Sequence, residues 1–186
     1  MQTELTDQHL GADKKKSEKY FGATDAIFVL VAIVVAVMVA HLGYATWLEG
    51  VSTETTKEHG QQVADWLAQH GSLRAAGKTS GVTACDEENS TWGACLAALT
   101  SESGPFAGLV NVTQKNGSVF SDVCDREQAN THGAILIEKG VPKEPAGSGF
   151  NYAPMADSEV LAGPLALKVT ICGRGFSLIP IKEVHF

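Results

Sequence analysis

The chain has 186 residues, 44% of them apolar and 19% charged, and its 14 Lys and Arg against 21 Asp and Glu give a formal net charge of −7. That apolar content excludes a disordered polyelectrolyte, and the acidic balance excludes a chain built to collect phosphates, so no nucleic-acid partner is expected. The length suits one domain plus an additional segment.

Residues 1–24 read as a cytoplasmic tail made basic by Lys14, Lys15, Lys16 and Lys19. Ala26 to Ala40 (AIFVLVAIVVAVMVA) is an unbroken apolar run, and it extends to Trp47 with only His41 and Thr46 interrupting. At 1.5 Å per residue, about 22 such residues cross the ~30 Å hydrocarbon core of a bilayer. A buried helix of a soluble protein seldom carries apolar residues on every side for this length. The expectation is a transmembrane helix over 25–47, helical despite its Val and Ile because lipid leaves the backbone no other partners. The lysines precede the span and Glu49 and Glu54 follow it. The positive-inside rule therefore puts the N-terminus in the cytoplasm and the C-terminal part outside, in the periplasm or at the cell surface. Tyr44 and Trp47 stand where an interfacial aromatic belt belongs. Gly43-Tyr44-Ala45 offers a small-x-small signal cleavage site, but the long tail and long apolar core favour an uncleaved anchor.

Residues 48–186 carry 10 Lys and Arg against 16 Asp and Glu, a net −6, so the acidity lies beyond the span. An exported segment with four cysteines (Cys85, Cys95, Cys124, Cys172) is expected to hold two disulfides. Of the three connectivities, Cys85–Cys95 closes the short loop CDEENSTWGAC, and Cys124–Cys172 ties a mid-domain turn to a near-terminal strand; this pairing is preferred, though spacing does not prove it. A zinc site would want C-x2-4-C pairs or neighbouring His ligands, and neither is present.

Residues 49–70 read as a helix continuing from the span, with Val51, Val63, Trp66 and Leu67 apolar, Gly50 and Gly60 as weak points and Gly71 as its stop. A Gly/Ser/Thr loop follows at 71–84, then a short helix from Thr91 to Leu99. Leu109 to Val123 reads as a β-hairpin turning at Asn116-Gly117. Ala134 to Glu138 reads as a strand, Gly140 to Pro154 as a loop, Leu165 to Cys172 as an alternating strand, and Phe176 to Phe186 as a strand pair broken by Pro180. The expected fold class is α+β: a single transmembrane helix, ending at the surface or running on, followed by a disulfide-stapled, mainly antiparallel β domain outside.

No catalytic residue, metal ligand or cofactor is expected. G-x-S-x-G, H-E-x-x-H, a P-loop and a dinucleotide fingerprint are all missing. His59, His70, His132 and His185 are far apart, the first two reading as exposed helix residues and His132 as part of a turn. Asp86-Glu87-Glu88 lacks the alternating spacing of a calcium loop and reads as solvated. Three of the five asparagines, Asn89, Asn111 and Asn116, stand in N-x-[ST] sequons, which matter only in a glycosylating host. His41 is an ionisable residue inside the span, one or two turns from Trp47, where its ring can reach the interface.

Ala40-His41-Leu42 with Trp47 six residues after the histidine resembles the pigment-binding helix of purple-bacterial light-harvesting β polypeptides, a resemblance that would make His41 a magnesium ligand; Leu48-Glu49 replaces the Arg-Pro expected after the Trp. A basic leader, one apolar helix, an amphipathic extension, a disulfide loop and a terminal sheet together resemble type IV pilins and pseudopilins. That resemblance implies a peptidase cut between Gly22 and Ala23, helices packed in a filament core, and Cys124–Cys172 as a closing disulfide. Counted from Ala23, the fifth residue is Ile27 where the family has Glu, and Asp25 is the acid nearby.

The expected role is a single-pass structural or assembly subunit, a pilin-like filament subunit in its most specific form, with the membrane, other membrane helices or like subunits as partners. The alternative is a sensor or ligand-binding subunit of a larger membrane complex. An exported enzyme ranks third.

Overall fold

A computed structural model of the chain describes residues 22–87, 89–143 and 149–186. The lysines of the N-terminal tail, Glu88 of the acidic run and the middle of the Pro/Gly segment at 144–148 lie outside the described residues. The chain divides into two units at Tyr44/Ala45, the second being Ala45–Phe186.

Helix α1 runs Ala23–Ala75, 53 residues through Gly50, Gly60 and Gly71 without a break. Its buried positions, Thr56, Gly60, Val63, Ala64, Leu67 and Gly71, recur at three- and four-residue spacing and so form one stripe. Gly71 is not the stop that the sequence suggests. The helix ends in a Schellman motif four residues later, where Lys78 N–H donates to Leu73 O and Gly77 N–H to Arg74 O, both at 2.9 Å. Gly77 takes the required left-handed conformation, φ +70°. The glycine at 71 serves a close approach instead: a Cβ there would stand 2.0 Å from the carbonyl oxygen of His185.

A short helix α2 (Thr83–Asp86), not expected from the sequence, replaces the end of the 71–84 loop, and α3 spans Trp92–Thr100. Thr91 caps α3 by accepting from Ala94 N–H at 3.3 Å. Four strands follow, β1 (Ile135–Pro142), β2 (Phe150–Pro154), β3 (Ala166–Cys172) and β4 (Leu178–His185). They form one antiparallel sheet in the order β2-β1-β3-β4. The sheet's inner face carries Ile135, Ile137, Leu167, Val169, Ile171 and Val184, all buried with Val63 and Leu67 of α1 and Leu99 of α3 in one apolar core. Each such side chain contributes about 1.5–3 kcal/mol relative to exposure.

Three strand expectations need correction. Residues 109–123 are not a hairpin; only Phe120 pairs, in an isolated parallel bridge to Ile135. Asn111 overrides the Asn-Gly turn signal. Its Nδ2 donates to the carbonyls of Ser118 and His132, both 2.9 Å, and its Oδ1 accepts from Thr113 and Gln114 N–H, both 3.0 Å. A carboxamide that satisfies four backbone groups specifies a loop, because those groups are then lost to a ladder. The segment 140–154 is not all loop, since β1 continues to Pro142 and β2 begins at Phe150. The C-terminal strand pair is one strand, β4. Thr170 faces Pro180 while Val169 faces Lys182, so Ile181 is accommodated as a bulge. β4 lies at the sheet edge, where a proline removes no obligatory hydrogen bond.

Candidate functional site

From Ile27 to Leu48, α1 presents large apolar side chains that are 44% to 72% exposed, at consecutive positions and hence on all sides of the helix. This stretch is long and apolar enough to cross a membrane. An apolar surface of this extent is a site by itself, because water opposes it and monomeric soluble domains seldom keep one. His41 lies within it and is exposed. At its start, Gly22 N–H donates to Asp25 Oδ2 at 3.3 Å and Gly22 O accepts from Ala26 N–H at 3.1 Å. The carboxylate of Asp25 thereby caps the first turn and complements the helix dipole. The Gly22–Ala23 peptide stands at the junction where helix begins.

The cysteines lie in two pairs at disulfide distance, Cys85 with Cys95 and Cys124 with Cys172, separated by 10 and 48 residues. The first links α2 to α3. The second ties the loop before β1 to the end of β3, next to the hydrogen bond from Gly133 N–H to Cys172 O at 2.8 Å.

The histidines are dispersed. His59 and His70 are half-buried rather than solvent-exposed. His70 stacks on Trp66 with ring centroids 3.9 Å apart, and its Nδ1 is 2.7 Å from Trp66 O. His132 follows a short 3-10 turn and lies 5.8 Å from the Phe176 ring. Among the described residues no group of three or more His, Cys, Asp or Glu is arranged to hold a metal. Asp86 is half-buried rather than solvated; its Oδ2 accepts from Ser80 N–H at 2.7 Å and from Ser80 Oγ at 3.0 Å, locking the loop ahead of α2. Of the sequon asparagines, Asn89 and Asn116 are exposed, whereas Asn111 is buried with its amide nitrogen engaged.

Two further groupings escape sequence reading. A cleft of about 390 Å³ lies between α3 and the sheet, lined by Trp92, Leu96, Phe120, Ile137 and Met155, with the exposed Asp122 and Asp157 also on its wall. On the sheet's outer face, Glu138, Thr170 and Lys168 meet. The Thr170 hydroxyl donates to Glu138 Oε2 at 2.7 Å, and Lys168 Nζ is 3.7 Å from the same oxygen. Lys168 Nζ also lies 5.3 Å from the Tyr152 ring centroid. Burial, a hydrogen bond to Glu183 and the charges of Glu183 and Glu138 push the Tyr152 phenol up to about 12. The polar positions in the alternating run LALKVTIC announce Lys168 and Thr170 as outward-facing, but Glu138 and Tyr152 join them only through strand register. Between α1 and β4, Lys182 Nζ at 2.7 Å and Gln61 Nε2 at 2.8 Å donate to Asp65 Oδ1 and hold its carboxyl below the usual carboxylate range.

The chain matches no protein-family model, no curated protein and no solved structure.

Proposed function

We propose that this protein is a single-pass membrane protein with a cytoplasmic N-terminus and an extracytoplasmic domain, acting as a structural or assembly subunit of pilin-like organisation. One observation carries the reading. The same helix exposes apolar side chains on all sides from Ile27 to Leu48 and, from Thr56 to Gly71, buries a single stripe in the core that the antiparallel sheet completes. An element of that kind needs lipid or like helices around its first half and a folded domain around its second. Two cysteine pairs at disulfide distance suit an oxidising compartment. Processing between Gly22 and Ala23 would release the helix from its basic leader, with Ile27 then replacing the acid that pilins carry at mature position five.

The intact mass of the protein isolated from its native membrane tests this. A mass beginning at Ala23 supports filament assembly. One beginning at Met1 rules out the pilin-like form and leaves a permanent bitopic anchor. One beginning at Thr46 means a cleaved signal and a soluble domain, and removes the membrane reading. The cleft beside Trp92 favours a second reading, a ligand-binding subunit. A ligand-dependent rise in melting temperature that is lost in Trp92→Ala would establish it.

A further inference from the structure

The cleft between α3 and the sheet combines an apolar inner wall with an acidic rim. Trp92, Ile135, Ile137 and Met155 are each no more than 5% exposed and form the inner wall, beside the half-buried Phe120. Asp122 and Asp157 are exposed and stand at the rim. Both acids sit on fixed backbone. Asp122 lies inside a turn in which Ser121 Oγ donates to Val123 O at 2.9 Å and accepts from Val123 N–H at 3.2 Å. Asp157 O accepts from Gly93 N–H at 2.8 Å, next to the bond from Trp92 N–H to Glu159 O at 2.7 Å. Among the described residues, neither carboxylate enters an ion pair and no basic side chain lines the cleft. Lys139, two residues beyond Ile137 and so on the same face of β1, is tied to Glu159 instead.

These features select a ligand class. The volume of about 390 Å³ falls within the range of clefts that hold small molecules. The inner wall gains from an apolar or aromatic body, because that surface is then removed from water. The rim carboxylates, in a segment of net charge −6 over residues 48–186, favour a positive charge and oppose a negative one. A bare divalent cation does not suit the site, since calcium takes about 6–8 oxygen ligands and the inner wall offers apolar side chains.

We infer that the cleft receives a small organic cation, a primary ammonium on an apolar or aromatic body. Asp122 and Asp157 hold the ammonium at the rim, and the body packs against Trp92, Phe120 and Met155. The assignment rests on the ligand-binding reading of this cleft and adds to it the chemical class of the ligand.

The test uses the full chain in a non-ionic detergent with methyl-labelled methionine, read by NMR. Three probes of similar shape are titrated separately: phenethylammonium, the neutral 2-phenylethanol and the anionic 3-phenylpropionate. The Met155 methyl group reports the cleft. Met38, in the exposed apolar run, is the control for probe that merely partitions into detergent. The expected result is a saturable shift of Met155, with phenethylammonium bound about tenfold more tightly than the alcohol, as two solvent-exposed ion pairs allow. Phenylpropionate should bind more weakly than either, and added salt should narrow the differences. In the double variant Asp122→Asn, Asp157→Asn the ammonium should fall to the affinity of the alcohol. Unchanged binding of the alcohol would show that the variant is folded. Equal binding of ammonium and alcohol in wild type would overturn the cation assignment and leave the ligand-binding reading standing. A preference that survives in the double variant would overturn the role of the two acids. No saturable Met155 shift with any probe would overturn the ligand-binding reading, and the assignment with it.

Discussion

Three glycines in one helix should respond to the same substitution with a gain, no net change and a loss. Replacing glycine by alanine in a helix interior gains about 1 kcal/mol of intrinsic propensity wherever the methyl group has room. At Gly50 an added Cβ meets nothing within 4 Å, so Gly50→Ala should stabilise the domain by about that amount. At Gly60 the methyl meets Ile171 Cγ2 and Ile181 Cγ1, each at 3.1 Å. Those are side-chain ends able to give by a few tenths of an ångström, and a packing cost of about 1 kcal/mol cancels the gain. At Gly71 the methyl would lie 2.0 Å from His185 O and 2.5 Å from Phe186 Cα, both backbone. No rotamer relieves that clash. Helix and strand must separate, straining the paired hydrogen bonds between Leu165 and Phe186 at 2.6 and 2.8 Å and the seat of the buried Phe186 ring. Overpacking of about 3 kcal/mol against the 1 kcal/mol gain leaves a net loss of about 2 kcal/mol. With a urea m-value of about 2 kcal/mol per molar, the Gly71→Ala midpoint should fall by about 1 M and that of Gly50→Ala should rise by about half as much. Near-ultraviolet circular dichroism of the full chain in mild detergent, which reports Trp66 and Trp92, is a suitable assay. A Gly71→Ala protein as stable as wild type would refute the close approach of α1 and β4.

Other perturbations should be as informative. By loop-closure entropy, removing Cys124–Cys172 as a double alanine variant should cost about 4 kcal/mol and removing Cys85–Cys95 about 3 kcal/mol, since the closed loops span 48 and 10 residues. Urea midpoints in the reverse order, or four titratable thiols in the untreated protein, would contradict the pairing. Asn111→Asp should destabilise by about 2–3 kcal/mol, because a carboxylate cannot donate to the Ser118 and His132 carbonyls that Nδ2 now satisfies; Asn116→Asp, at an exposed turn, should be within experimental error of wild type in the same melt. The Tyr152 phenol ionises near 12 in the folded state against about 10 when unfolded, so its contribution is fully present below pH 10 and is lost as the pH rises toward 12. The ultraviolet tyrosinate titration of the full chain should contain a late step near pH 12 that disappears in Tyr152→Phe.

Much of the architecture is legible in the sequence, because its signals are local. An unbroken apolar run from Ala26 to Ala40 marks a helix that is apolar on every side, and strict alternation in LALKVTIC defines both a strand and its two faces. The short helix read from Thr91 to Leu99 is local too, and the cap that the structure adds spans three residues, from the Thr91 hydroxyl to the Ala94 N–H.

Where tertiary contacts outbid local preference, the sequence misleads. Asn116-Gly117 is a strong hairpin signal, yet Asn111 draws the surrounding backbone groups to its own carboxamide. Gly71 looks like a helix stop, yet its missing side chain is needed so that β4 can pass against the helix, and the stop falls to Gly77. The outer-face grouping of Glu138, Lys168, Thr170 and Tyr152 depends on strand order and register, which long-range packing alone decides. The level of the β3–β4 hairpin against α1 is of the same kind, since Arg174 and Glu49 are 125 residues apart in the chain and meet only because the sheet folds back along the helix. Patterning within a few residues determined which segments are helix or strand and which surface is apolar. Contacts between segments far apart in sequence decided how those surfaces are brought together, because no local signal carries the shape of a distant partner.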